Sequence, residues 1–385
     1  EDVLPYIPKE RLEDVIIFDP SDMERPIGLN MLEANSSYEM DMAAQEMINI
    51  FYKLLPDPSM AGPMFEHYMR NALLALMADQ DDPGTLVELA RIFTDDAFRK
   101  KKLQYVKDIL VKDFWEREYT ASQKGSTGAD MLSYVISKTG RFVENEMMRN
   151  IIGQSHSGIN FREVMDKGKI LLMNLSKGKI GETNSNLLGL IAVSKLQMAA
   201  LARADMPEEQ RQDFYLYIDE FQNFITDSIS TILAEARKYR LNLIMAHQYI
   251  AQLTQNNDTR VRDAVFGNVG TVAAYRVGVD DAETIAKQLG HNVTQYDVMN
   301  TEKFNTYIRL LIDNQASEAF NMHVFPFTEH FEGNPNNVGP LKELSRLKYG
   351  RDHDIVVREI VERSKIGQLG KSPLDAFGDD EDEDL

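Results

Sequence analysis

Between residues 169 and 312, apolar runs of strand length alternate with helical segments, and this alternation restricts the possible folds more than any other feature. The runs fall at 169–175, 214–218, 241–246, 271–276 and 306–312, and a shorter one, Val15-Ile-Ile-Phe18, ends in the turn pair Asp19-Pro20. The intervening stretches at 186–204, 228–239, 260–266 and 281–289 carry apolar residues at helical spacing. Runs apolar throughout, separated by helices, predict an α/β fold with a mostly parallel sheet covered on both faces.

Residues 38–150 read differently. Met40, Ala43, Met47, Ile50 and Leu54 recur with helical period, as do Phe65, Met69, Ala72, Leu73 and Leu76. Further helices are predicted at 85–93, 101–115 and 129–149, and Gly125-Ser-Thr-Gly128 reads as a turn. Nine of the 19 methionines precede residue 78; core filling accounts for them better than a partner-binding surface. After Pro326 the strand pattern stops, 341–348 and 354–364 read as short helices, and the Gly-, Pro- and acid-rich stretch from 367 reads as disordered. The expected divisions are 1–38 and 151–330 as one α/β core, 39–150 as an all-α insertion, 331–366 as a helical extension and 367–385 as an acidic tail.

The chain has no cysteine, so disulfide and thiolate-metal sites are excluded, and its seven histidines show no metal-ligand spacing. The net charge is −19; removing the acidic run 379–384 still leaves a strong negative excess. A broadly basic nucleic-acid footprint is therefore absent, and any such contact has to be local. That run reads either as a solvated end or as a recruiting segment. No uninterrupted apolar run of about 18 residues marks a membrane span, and no signal-peptide pattern opens the chain.

Chemistry concentrates where strand-like runs end. Asp213-Phe-Tyr-Leu-Tyr-Ile-Asp219-Glu220-Phe-Gln222 delivers two adjacent carboxylates at a strand tip, the position where open parallel sheets bind ligands. This is the form of a Walker B element: Asp219 suits Mg²⁺ held through water, and Glu220 suits orienting or deprotonating the attacking water. The alternative is an exposed acidic pair that caps the next helix. The 241–246 run ends in His247-Gln248, which places Gln248 either as a γ-phosphate sensor or as a loop hydrogen bonder, with His247 read as structural. Arg237 and Lys238 close a helix, where the dipole favours cations for structural reasons alone; the functional reading of Arg237 is an arginine finger acting on a neighbouring subunit. Arg276 is a second candidate for a phosphate or subunit contact, ranked behind Arg237. Lys177 and Lys179 lie in Lys177-Gly-Lys-Ile-Gly181, a basic loop expected near the site or facing a pore. No G-x-x-x-x-G-K-S/T phosphate loop occurs.

The ordered set of motifs resembles the TraG/TraD family of type IV coupling proteins and their HerA/FtsK-type relatives. Pro26-Ile-Gly-Leu-Asn30, Arg70-Asn-Ala-Leu-Leu74 and Arg149-Asn-Ile-Ile-Gly153 frame the helical block. Gly168-Lys-Ile-Leu-Leu-Met-Asn-Leu-Ser-Lys-Gly178, Tyr217-Ile-Asp-Glu-Phe-Gln222, Glu235-Ala-Arg-Lys238, Ala246-His-Gln248 and Gly267-Asn-Val-Gly-Thr271 follow in order. The resemblance spans about residues 10–330 and implies a RecA-like P-loop NTPase core with an inserted all-α domain, ATP and Mg²⁺ as cofactors, and assembly as a homo-hexamer that moves single- or double-stranded DNA. By the same resemblance, Asp219 and Glu220 are the Walker B pair, Gln248 faces the γ-phosphate, and Arg237 falls where the trans arginine finger lies. Relaxase or secretion-channel proteins are implied partners through the all-α block and acidic tail. Location is expected in the cytoplasm, at the inner membrane's cytoplasmic face if membrane helices precede. The phosphate loop is expected just before Glu1, so this stretch alone is not expected to bind ATP normally. A HerA-like DNA-processing translocase and a non-hydrolysing adaptor are the other readings.

Overall fold

Short β-branched and aromatic runs become strands where the alternation places them. The computed structural model describes residues 2–55, 62–123, 135, 139–226, 228–254 and 258–364. Its strands are β1 (Val15–Phe18), β2 (Ile170–Met173), β3 (Phe214–Ile218), β4 (Leu241–Met245), β5 (Val272–Ala274), β6 (Asn305–Arg309), β7 (Leu311–Ile312), β8 (Gln315–Ala316) and β9 (Phe320–His323). Cα packing divides the chain into two units: Glu1–Val15, Phe161–Ile170 and Leu196–Glu343 in the first, and Ile16–Asn160, Leu171–Lys195 and Leu344–Leu385 in the second.

In the first unit, β3 and β4 run parallel, in register from Phe214 opposite Leu241 to Ile218 opposite Met245. The helix Ile229–Glu235 and the 3₁₀ turn Ala236–Tyr239 connect them. A second sheet, ordered β5-β6-β9, is antiparallel throughout. Asp313 and Asn314 both take positive φ and turn β7 into its antiparallel partner β8, the backbone of a two-residue type I′ hairpin. Ala274, Ala282, Ile285, Leu289, Val293 and Val298 bury the helix Val279–Leu289 against this part of the unit.

Two expectations are corrected here. The described strands form several short sheets with both parallel and antiparallel pairing rather than one mostly parallel sheet, although the α/β class stands. Nor is β3 covered on both faces: Tyr215 is 58% exposed and Tyr217 73%. Apolar content signals a strand but does not choose its partner, and strand β9, polar at Asn321 and His323, gives no apolar run to detect.

The second unit is built mainly from helices. Ser37–Leu54 begins at Ser36, whose hydroxyl accepts the Glu39 N–H, and Pro63–Met77 follows with proline in its first turn. Thr85 and Glu88 form a capping box. The predicted helix over 101–115 is broken. Asp96–Leu103 ends, and a new helix starts at Ile109 because Asp108 accepts the Leu110 N–H at 2.7 Å. Helical spacing across that gap hides the cap. A π-helical turn, Phe114–Tyr119, then packs Phe114, Trp115 and Tyr119 with Tyr68 and Phe93, ring centroids 4.9–6.4 Å apart. Met31, Met47, Met69 and Met77 are buried, in keeping with core filling. The helices Val338–Tyr349 and His353–Ser364 appear near the predicted positions. The described part of the predicted 129–149 helix, residues 135 and 139–149, is helical with a break at Asn145, which caps Glu146–Ile152; residues 129–134 and 136–138, the 125–128 turn and the acidic tail lie outside the described residues.

The helix Glu182–Ala202 has the length and apolar content to cross a membrane, yet 67% of its most apolar window is buried inside the protein. It is a core helix by that measure.

Asn30 is a buried polar hub of the second unit. It is 1% exposed, donates to Gly84 O (3.0 Å) and Ser155 O (2.7 Å), accepts the Leu32 N–H (2.9 Å), and its own N–H reaches the Ser157 hydroxyl (3.0 Å). Asn30→Ala removes the side-chain bonds and orphans buried backbone groups, so it is expected to cost roughly 3 kcal/mol. Urea unfolding followed at Trp115, the sole tryptophan, checks this; an unchanged midpoint would remove Asn30 as an organiser of this unit.

Candidate active site

At the tip of β3 the chain leaves the pleat abruptly. Glu220 takes φ 51°, ψ 44°, the left-handed region, which costs a side-chain-bearing residue about 1–2 kcal/mol. Strain of this kind gathers at functional sites. The bend is fixed by backbone bonds from β4's tip: the Ala246 N–H donates to Ile218 O (3.0 Å) and the Phe221 N–H to Ala246 O (3.1 Å). Phe221, wholly buried, anchors the turn from below.

The result turns the Glu220 carboxylate toward β4. Its Oε1 accepts the Gln248 amide at 2.6 Å, and its Oε2 accepts the Gln222 amide at 2.8 Å. Carboxylates carry no proton to give, so each glutamine presents its NH₂ end. Gln248 is itself held: Gln252 Oε1 accepts the Gln248 and Tyr249 N–H groups at 3.1 and 3.2 Å. The Ile250 N–H donates to Asp281 Oδ2 at 3.0 Å, tying the same loop to the helix Val279–Leu289. The structure thus brings Glu220 and Gln248 together at the two strand tips.

Asp219 is exposed, and its Oδ1 accepts the Glu220 N–H at 3.0 Å. Its other oxygen has no partner among the described residues. No group of three or more His, Asp or Glu gathers among the described residues; a metal bound here would have the Asp219 carboxylate and water to hold it. Magnesium suits that, since it keeps several of its waters.

His247 packs edge-on against Phe221, centroids 5.4 Å apart. Burial holds its pKa below the usual histidine value, against the opposing pull of Asp281 and Glu220. A half-buried ring set edge-on against a core phenylalanine fits the structural reading.

Arg237 sits on the 3₁₀ turn Ala236–Tyr239, and Arg276 lies two residues beyond β5; both are exposed. Neither guanidinium has a partner among the described residues. The backbone beneath Arg237 is held by the fully buried Arg203, whose Nη1 donates to Gln212 O and Tyr239 O, both at 2.9 Å.

Lys177 and Lys179 belong to the second unit. The basic loop expected there is a helical turn, Lys177–Ile180, closed by Gly181 at φ 83°. Lys177 is paired with Glu182 at 2.8 Å, and Lys179 acts on Asp19. Asp19, at the tip of β1, accepts from Ser21 and Asn174; these bonds and Lys179 outweigh its burial and hold its pKa below the usual carboxylate value.

Sequence reasoning missed Gln222, Gln252 and the left-handed Glu220. The signal available was Gln222 two residues after the acid, a spacing that has meaning only once the turn is known.

The fold and the site together describe an α/β protein with a carboxylate and an amide facing each other across adjacent parallel strand tips. Solved structures with this fold include the bacterial conjugative coupling protein TrwB lacking its first 70 residues (TrwBdeltaN70; TM-score 0.53, 14% identity, 81% of this chain and 73% of that one). They also include TrwB in complex with the non-hydrolysable GTP analogue GDPNP (TM-score 0.55, 15% identity, 84% and 76%) and VirB4 of Thermoanaerobacter pseudethanolicus (TM-score 0.51, 14% identity, 83% of both). TrwB has also been solved with ADP and Mg²⁺ and with the ATP analogue ADPNP. At these identities the likeness establishes the fold. No curated protein sequence matches the chain. Residues 213–317 match the family described as the TraM recognition site of TraD and TraG, a stretch that contains Asp219, Glu220, Arg237, Gln248 and Arg276. Over that stretch the chain is similar to the TraG/TraD coupling proteins.

Proposed function

We propose that this chain is part of a conjugation-related ATPase motor with a RecA-like P-loop core and an inserted all-α domain, which moves DNA through a homo-hexameric ring toward a secretion channel. The observation that carries the hydrolytic part is the 2.6 Å bond between Gln248 and Glu220 across the parallel β3–β4 tips. The TraG/TraD match and the nucleotide complexes of TrwB support the rest.

In this reading ATP and Mg²⁺ are the cofactors. Magnesium would supply positive charge against the triphosphate, and Asp219 would hold it through water with its open carboxylate oxygen. Glu220 aligns the attacking water and takes its proton, while Gln248 turns its amide toward the γ-phosphate. Arg237, exposed and unpaired among the described residues, reaches developing phosphate charge in the neighbouring subunit; Arg276 makes a second such contact. With the net charge at −19, DNA is held locally, with Lys177 and Lys179 as backbone contacts. The residues that grip the triphosphate have no counterpart by motif among these 385.

Mixing distinguishes these roles in the natural full-length protein. Asp219→Asn and Arg237→Ala are each expected to lower ATP hydrolysis by roughly 10³-fold, the scale of a lost arginine finger. Mixtures of the two are expected to recover part of the rate, because intact halves meet at some interfaces. No recovery at any ratio would count against Arg237 acting across subunits, and full activity of Asp219→Asn would sink the metal assignment.

A further inference from the structure

Gln222 has no part in the reading above, yet its burial is hard to explain otherwise. It is 9% exposed, and its Oε1 is fully buried with no hydrogen-bond partner among the described residues. Its NH₂ group makes one side-chain bond, to Glu220 Oε2 at 2.8 Å. A buried glutamine kept for stability satisfies both ends of its amide. This one satisfies only the end that touches the carboxylate.

The two amides on Glu220 also differ in kind. Gln222 is buried, two residues further along the same turn, and close behind the buried Phe221. Gln248 is exposed and sits on the tip of the neighbouring strand. The NH₂ group of Gln248 carries two hydrogens, one on Glu220 Oε1 and one free for a phosphate oxygen. As that amide tilts toward phosphate its hold on Oε1 loosens, and Oε1 has a second lone pair for a water proton, while Oε2 stays bound to Gln222. The carboxylate is then aimed chiefly from the Gln222 side.

We propose that Gln222 is a positioning residue that holds the Glu220 carboxylate in its left-handed turn and keeps it aimed as Gln248 engages phosphate; this rests on Glu220 as the water-activating residue. Gln222 acts through Glu220 and touches neither nucleotide nor water.

The test uses Gln222→Met in the natural full-length protein, since methionine fills the same volume without an NH₂ group and without the orphaned oxygen. Expected are a fall in kcat of roughly 10–100-fold, the range for a misaimed catalytic group, an unchanged KM for ATP, and a thermal midpoint no lower than wild type. In a Glu220→Gln background the same change is expected to have no further effect. A readout independent of turnover comes from NMR of the nucleotide-free protein with labelled glutamine side chains. The Gln222 amide protons are expected to exchange slowly and to lose that protection in Glu220→Ala. Wild-type kcat in Gln222→Met, an equal loss in the Glu220→Gln background, a loss matched by loss of folded protein, or unprotected amide protons would each overturn the role. Full turnover by Glu220→Gln is a different failure: it removes the water-activating reading itself, and this inference with it.

Discussion

Glu220→Gln in the natural full-length protein is expected to lower ATP hydrolysis by roughly 10²–10⁴-fold, the contribution of a positioned general base, while nucleotide still binds. Glutamine keeps the length of the side chain and the left-handed backbone but loses the proton-accepting oxygen pair. The geometry adds a second effect. The carboxylate accepts one amide on each oxygen, Gln248 at 2.6 Å and Gln222 at 2.8 Å. A glutamine at 220 has one acceptor and one NH₂ group, so it can accept from one neighbour and must set its own donors against the other's. In the proposed reading metal and phosphate contacts do not run through residue 220, so affinity for a labelled ATP analogue should stay within a few-fold of wild type while turnover collapses. Normal turnover would falsify the assignment of Glu220; lost binding together with lost turnover would point to a collapsed strand tip instead.

How far this site was legible in the sequence depends on what each part is made of. Phe214–Ile218 and 241–246 announce themselves as strands because they are apolar and β-prone, and the polar residues just beyond them mark the tips. Glu220 opposite Gln248 then needs only that the two strands be parallel neighbours, which they are. Gln222 and Gln252 were not legible, because their partners are set by one left-handed residue and by a loop bond across four positions, and neither has a periodic signature. Pairing was the weaker part of the fold reading. Strand existence depends on side chains along one segment, whereas partner choice depends on turns such as Asp313-Asn314 and on surface complementarity between distant segments. The helix expected over 101–115 failed on a similar point: one capping carboxylate, Asp108, outweighs an apolar period that continues through it.

Asp166→Ala is expected to destabilise the first unit by about 3–5 kcal/mol, the cost of leaving a buried charge without its partner. Arg203 is 0% exposed, and its Nε donates to Asp166 Oδ1 at 2.8 Å. Burial pushes the pKa of its guanidinium down and Asp166 opposes that push, so the carboxylate is what makes the buried charge tolerable. Asp166 also pairs with Arg162, which reaches Asp205 at 2.8 Å, but Arg162 is partly exposed and can find water. Arg203 cannot. Its other bonds go to Gln212 O and Tyr239 O, which lie two residues before β3 and β4 respectively, so it clamps the entries of the two strands whose exits carry Glu220 and Gln248. Two consequences separate this from an ordinary surface ion pair, which is worth at most about 1 kcal/mol. Amide exchange along Phe214–Ile218 and Leu241–Met245 should accelerate in Asp166→Ala, since the strands lose their shared anchor. Adding Arg203→Met to Asp166→Ala should recover part of the lost stability, because it removes the charge that has nowhere to go, although the two carbonyls stay unsatisfied. A double variant less stable than Asp166→Ala alone, measured by calorimetry, would show that Arg203 serves chiefly through its carbonyl contacts and that the charge pair is incidental.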